Sequence, residues 1–142
     1  RKAMYQVVEK LTPEDIYRIS KQAFVEMLQA GYTQVGEFHY VHHQPDGEPY
    51  EDVNELSNQV IQAALDAGIR ITLFRVVYLE TGYRNLEPAP GQLRFMDADC
   101  DAALSAIEQL MTRWRDHDMV RIGIAPHSVR AIQAQALTAD VK

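Results

Sequence analysis

Ile69-Arg-Ile-Thr-Leu-Phe-Arg-Val-Val-Tyr78 is the stretch on which the fold turns. β-branched and aromatic residues run through it almost without a break, which suits a strand covered on both faces, as in a parallel sheet. Directly before it, Gly68 closes a helical stripe of Leu56, Val60, Ile61, Ala64 and Leu65, spaced three and four residues apart. Tyr32-Thr-Gln-Val-Gly-Glu-Phe-His39 has strand composition on the upstream side, and Val120-Arg-Ile-Gly-Ile-Ala125 has it downstream.

Helical patterns fill the intervals. Met4, Val7, Val8 and Leu11 predict a helix over residues 2–11. Thr12-Pro13-Glu14-Asp15 opens a second one, carrying Ile16, Ile19, Ala23, Met27 and Leu28 on one stripe and ending at Gly31. Asp97 and Asp99 are expected caps of a helix that buries Ala103, Ile107, Leu110, Met111 and Trp114, and residues 128–137 begin another. The order is α-β-α-β-α-β-α, an α/β class with three strands near 33–39, 70–78 and 120–125. Such alternation implies right-handed crossovers and a parallel sheet. Three strands leave two open edges, and a closed (β/α)8 barrel of the TIM type needs about 250 residues. Residues 1–142 therefore read either as a small α/β domain or as one partial barrel domain lacking its other strands.

Composition narrows the functions. The 142 residues are 46% hydrophobic and 24% charged, near the globular average, which excludes a disordered or low-complexity chain. A formal charge of −6, with the basic residues scattered, argues against a nucleic-acid partner. No apolar run approaches the ~18 residues that cross a bilayer. Arg1-Lys-Ala-Met4 lacks the apolar segment of a secretory signal, and no Met stands at position 1, so a processed product or a piece of something longer is expected. The single cysteine, Cys100, has no internal disulfide partner, which fits a reducing cytoplasm. It reads as core or surface filler.

Ligands in parallel α/β folds bind at the carboxyl ends of the strands. Three conspicuous segments fall there: Glu37-Phe-His-Tyr-Val-His-His43, Tyr78-Leu-Glu-Thr-Gly-Tyr83 and Ala125-Pro-His-Ser-Val-Arg130. If the first strand continued through its histidines, alternation would put His39 and His43 on one face and Tyr40 and His42 on the other. No carboxylate or cysteine stands near them at a zinc spacing, so they read as histidines that shape a loop. His127 and Arg130 flank a strand-to-helix turn whose free amides favour anions. Arg130 adds a fork for a carboxylate or phosphate, and His127 is placed to orient a substrate atom. Ser128 lacks the Gly-x-Ser-x-Gly setting of a nucleophile. Glu37 and Glu80 are expected to face the interior as candidates for acid–base work, and Tyr78, Tyr83 and Arg84 as candidates to line a pocket or lid.

Residues 30–47, Ala-Gly-Tyr-Thr-Gln-Val-Gly-Glu-Phe-His-Tyr-Val-His-His-Gln-Pro-Asp-Gly, and Gly123-Ile-Ala-Pro-His-Ser-Val-Arg-Ala131 closely resemble the N-formimino-L-glutamate deiminases of the amidohydrolase superfamily. Leu11-Thr-Pro-Glu-Asp15 fits the preceding helix. The resemblance implies a zinc-dependent (β/α)8 barrel that hydrolyses a formimino C–N bond of a histidine-breakdown intermediate and releases ammonia. It implies that Tyr40, His127 and Arg130 contact the substrate, Arg130 through a substrate carboxylate. The family's His-x-His metal motif would lie upstream of residue 1, and its later metal histidine, acid–base residues and final aspartate downstream of residue 142. On this reading the segment holds strands two to four and no catalytic or metal-ligating residue, and no zinc is expected tightly bound to it alone. The loop from Tyr78 to Arg84 departs from the family's glycine-rich form.

Two other readings stay open on the sequence: a freestanding module that binds a small carboxylate, and an inactive barrel remnant. In the second, the open edges would pair with another copy as a homodimer or with a missing barrel half.

Overall fold

The computed structural model describes residues 2–81 and 87–128. Helices α1 (Lys2–Val8) and α2 (Pro13–Gln29) precede strand β1 (Gln34–His39). Helix α3 (Glu55–Ala67), strand β2 (Arg70–Val77), a short 3-10 helix (Pro90–Phe95), α4 (Cys100–Trp114) and β3 (Val120–Pro126) follow. The strands pair in the order β1-β2-β3, both pairs parallel. This is the predicted alternation. The expected helix at 128–137 lies, from residue 129 on, outside the described residues.

Local chemistry explains the boundaries. Thr12 Oγ1 accepts the Asp15 amide at 3.2 Å while the Asp15 carboxylate accepts the Thr12 amide at 3.0 Å, a reciprocal cap that starts α2. Gly68 ends α3 at φ 90°, a left-handed turn that favours glycine. Asp99 caps α4 by accepting the Ala102 amide at 2.8 Å. Asp97, expected to share that role, is instead drawn into the interior by Arg75.

The register sets Val35, Glu37 and His39 beside Ile71, Leu73 and Arg75, and these beside Val120, Ile122 and Ile124. This face is covered by helices: Ile71, Leu73 and Val120 pack with Val60, Ile61 and Ala64 of α3, Phe24 of α2 and Leu110 of α4. The other face carries Phe38, 57% exposed, stacked on Phe74 with ring centroids 5.0 Å apart. Gly123 lies directly across from Phe74, where a Cβ would come within 2.7 Å of its Cδ1. The bulky ring on the central strand thus occupies the space that a side chain on β3 would need.

Some expected stripes are only partly buried. Met4 and Val7 are exposed because α1 meets the rest of the fold chiefly at the 3-10 helix, through Tyr5 and Val8. Ile19 and Met111 also point outward, and Phe24 is the buried residue of α2. Among the described residues, no helix is long and apolar enough to cross a membrane.

Candidate binding site at the strand ends

Tyr40, Tyr78 and His127 are the first residues beyond β1, β2 and β3, respectively. Parallel strands finish on one side, so consecutive exits crowd together. His127 donates its amide to Val77 O at 3.0 Å, extending the β2–β3 ladder one residue past the strand. Its ring lies over the end of β2. There Nδ1 is 3.3 Å from the Tyr40 hydroxyl, and the ring centroid is 4.6 Å from that of Tyr78. Strands β1 and β3 are not neighbours, so this hydrogen bond bridges the width of the central strand. His127 is exposed, Tyr40 is 36% exposed and Tyr78 only 7%. Arg130, Tyr83 and Arg84 lie outside the described residues.

The histidines after β1 do not follow strand alternation. The strand ends at His39, because the His42 and His43 amides turn to Arg94 O at 2.8 and 3.1 Å. As a result His39 and His42, expected on opposite faces, meet with ring centroids 5.6 Å apart, both buried. His42 Nε2 donates to Val76 O at 2.8 Å, leaving Nδ1 as a buried acceptor without a protein partner. Burial holds the His39 imidazole down at about 4, assisted by the Arg75 charge, and holds His42 well below its ordinary value in the same way. Burial also lowers His43. These are neutral rings beside a cation, and Arg75 keeps Nε and Nη1 unpartnered next to them.

A cation site is disfavoured by that neighbour. Among the described residues, no three His, Cys, Asp or Glu groups converge so as to hold a metal ion. His42 ties the loop to β2 through Val76 O.

Glu37 sits in the row of Val35 and His39, on the face that α2 and α3 cover. It therefore does not share the opposite sheet face with Phe38 and Phe74. Burial pushes its carboxyl up. Glu80 is half-buried two residues past Tyr78, Ser128 is half-buried next to His127, and Cys100 opens α4, also half-buried.

Two arginines that carry no pattern signal organise the mouth. Arg75 Nη2 meets Asp97 Oδ1 at 2.7 Å, and Asp97 in turn donates its amide to Tyr78 O at 3.0 Å. Arg94, fully buried, donates from Nε to His43 O at 2.8 Å and from Nη1 to Leu11 O at 3.0 Å and to Val8 O. It stitches the α1–α2 junction and the histidine loop to the 3-10 helix. An arginine within a β-branched strand and one in a Pro/Gly-rich loop both look like surface residues in sequence. Only the partners, 22 to 86 residues distant, reveal them.

A parallel β/α arc with its aromatic and imidazole groups gathered at the carboxyl strand ends belongs to the (β/α)8 barrel class. More narrowly, the chain belongs to the amidohydrolase family, whose model matches residues 2–142. Formimidoylglutamate deiminase of Pseudomonas aeruginosa is 40% identical over 139 residues, covering 96% of this chain and 30% of that protein. The crystal structure of an amidohydrolase from Brucella melitensis is similar at a TM-score of 0.91 and 35% identity, over 98% of this chain and 31% of that one. Atrazine chlorohydrolase TrzN from Arthrobacter aurescens TC1, solved with zinc, shares the fold at a TM-score of 0.71 and 22% identity, over 92% of this chain and 27% of that one. The chain spans a little under a third of the length of these relatives.

Proposed function

We propose that these residues form part of the substrate-binding mouth of a hydrolase that cleaves a formimino C–N bond and releases ammonia, as the name of the Pseudomonas relative indicates for that protein. The observation that carries the reading is the His127–Tyr40 hydrogen bond over the end of β2, in a chain so similar to a deiminase. Arg130 pairs with a carboxylate of a small-molecule substrate through its two-pronged guanidinium. His127 orients the imino end, and the Tyr40 hydroxyl holds the imidazole or the substrate beside it. Among the described residues no three His, Cys, Asp or Glu groups converge, so a zinc of the intact enzyme would draw on residues beyond them.

The test is ammonia release from N-formimino-L-glutamate by the protein expressed from its complete reading frame. Arg130→Met should raise KM by about 10–100-fold, the cost of losing hydrogen bonds to a charged group. His127→Asn and Tyr40→Phe should lower kcat/KM. Absence of turnover by the zinc-supplied protein, or an unchanged KM in Arg130→Met, would overturn the proposal. Calorimetric binding of glutamate without turnover would favour a carboxylate-binding module instead.

A further inference from the structure

We propose that His42 is a positioning residue for Tyr40: its ring takes up the last carbonyl that β2 offers to β1, and so fixes the height at which the β1 exit meets the mouth. The kinetic consequence rests on the function proposed above; the geometric one stands without it.

Successive residues of a central parallel strand present their amide and carbonyl groups to alternate neighbours. On β2 the Arg70 amide donates to Thr33 O beside β1, whereas the Ile71 amide donates to Met119 O beside β3. Even-numbered residues of β2 therefore serve β1, and odd-numbered ones serve β3. Val77 O follows the rule by accepting the His127 amide at 3.0 Å. Val76 O faces the other way, toward β1, but the β1–β2 pairing ends with His39 beside Arg75. The next rung comes from a side chain: His42 Nε2 donates to Val76 O at 2.8 Å. Consecutive carbonyls of the central strand thus hold both flanking exits, one through the His127 main chain and the other through an imidazole.

The ring is suited to that task. It is buried, with the His39 and His43 rings set edge-on to it at 5.6 and 6.1 Å. Burial, with the Arg75 charge nearby, keeps it neutral, so one nitrogen carries a proton, and the Val76 carbonyl selects Nε2. The His42 and His43 amides donate to Arg94 O, and Arg94 Nε donates to His43 O in return, which ties this loop to the 3-10 helix. The imidazole ties the same loop to β2, the strand from which His127 hangs. Tyr40 and Val41 are strung between the last ladder residue, His39, and this anchor at His42. So short a span between fixed points leaves the backbone little room, and the 3.3 Å separation of the Tyr40 hydroxyl from His127 Nδ1 is set from β2 on both sides.

The experiment uses the protein from its complete reading frame and compares His42→Leu, His42→Asn and His42→Gln. A glutamine amide reaches the place of Nε2 and can donate to Val76 O, whereas leucine has no donor and asparagine is a methylene too short. His42→Leu and His42→Asn should lower kcat/KM for N-formimino-L-glutamate by about 10–100-fold, the cost of misplacing a group at the mouth, and His42→Gln should recover most of it. In the Tyr40→Phe background, His42→Leu should cost little more. Crystal structures should show the Tyr40 hydroxyl drawn away from His127 Nδ1 in the leucine and asparagine variants and in place in the glutamine one. Should His42→Leu fail to fold, His42→Asn decides, because it keeps a polar side chain among the buried imidazoles. An unmoved Tyr40 in a folded leucine or asparagine variant, no rescue by glutamine, or full additivity with Tyr40→Phe would overturn the proposal. If the wild type turns over no formimino substrate, the functional reading fails and the place of Tyr40 in the crystals still decides the positioning.

Discussion

The Arg75 guanidinium meets the Asp97 carboxylate at 2.7 Å with the two side chains 2% and 3% exposed, in a fold where they stand on a strand and on the loop leading to α4. Breaking a buried pair from one side strands the other charge. Asp97→Asn or Arg75→Met is therefore expected to cost about 3–5 kcal/mol, whereas the double replacement Arg75→Met/Asp97→Leu should recover much of the loss. Chemical denaturation of the single and double variants measures this, and a double variant no better than either single one would count against it.

The imidazoles beside that pair predict a pH response. The unfolded chain takes up a proton on His39 near 6.5, while the native ring resists protonation until about 4. The stability His39 contributes is therefore complete above about pH 6.5 and is lost as pH falls toward 4, by about 3 kcal/mol at most. His42 acts in the same direction. Glu37, raised by burial, acts the other way. Thermal melts from pH 7.5 to 4 should show a drop that is shallower in His39→Gln; parallel wild-type and variant curves would refute it.

Glu37→Gln provides the converse test. A raised carboxyl penalises the native state above its ordinary 4.5, where the charged form prevails in the unfolded chain. The variant should melt higher than wild type at pH 7 and nearly equal to it at pH 4. A lower melting temperature at neutral pH would point to a partner for the carboxylate.

Gly123→Ala places a methyl against the Phe74 ring and should destabilise by about 1–3 kcal/mol, as overpacking does. Pairing it with Phe74→Leu should relieve most of that cost. Equal stability of Gly123→Ala and wild type in denaturant would refute the steric account.

Much of this architecture is legible in the amino-acid order, because periodicity reports burial. The β-branched run at 69–78 and the Thr12 and Gly68 punctuation mark elements whose determinants lie within a few residues. Tyr40 and His127 are legible as neighbours for a topological reason: both follow parallel strands. What escapes the sequence is long-range. Alternation misplaces His42, since the bond that bends the chain comes from Arg94, 52 residues away. Asp97 resembles Asp99 as a cap until Arg75 is found beneath it. Amphipathic spacing in α1 overstates burial, since a stripe is covered only where a neighbour lies against it.

The hydrogen bond that the His127 amide donates to Val77 O suspends the imidazole from the sheet itself. Strand pairing therefore works as a gauge for the opening above it. A slip of β3 by one residue against β2 would turn its side chains to the opposite face and carry the ring away from Tyr40. Damage to the alignment of these two strands would be registered at the mouth and in the helical layer together.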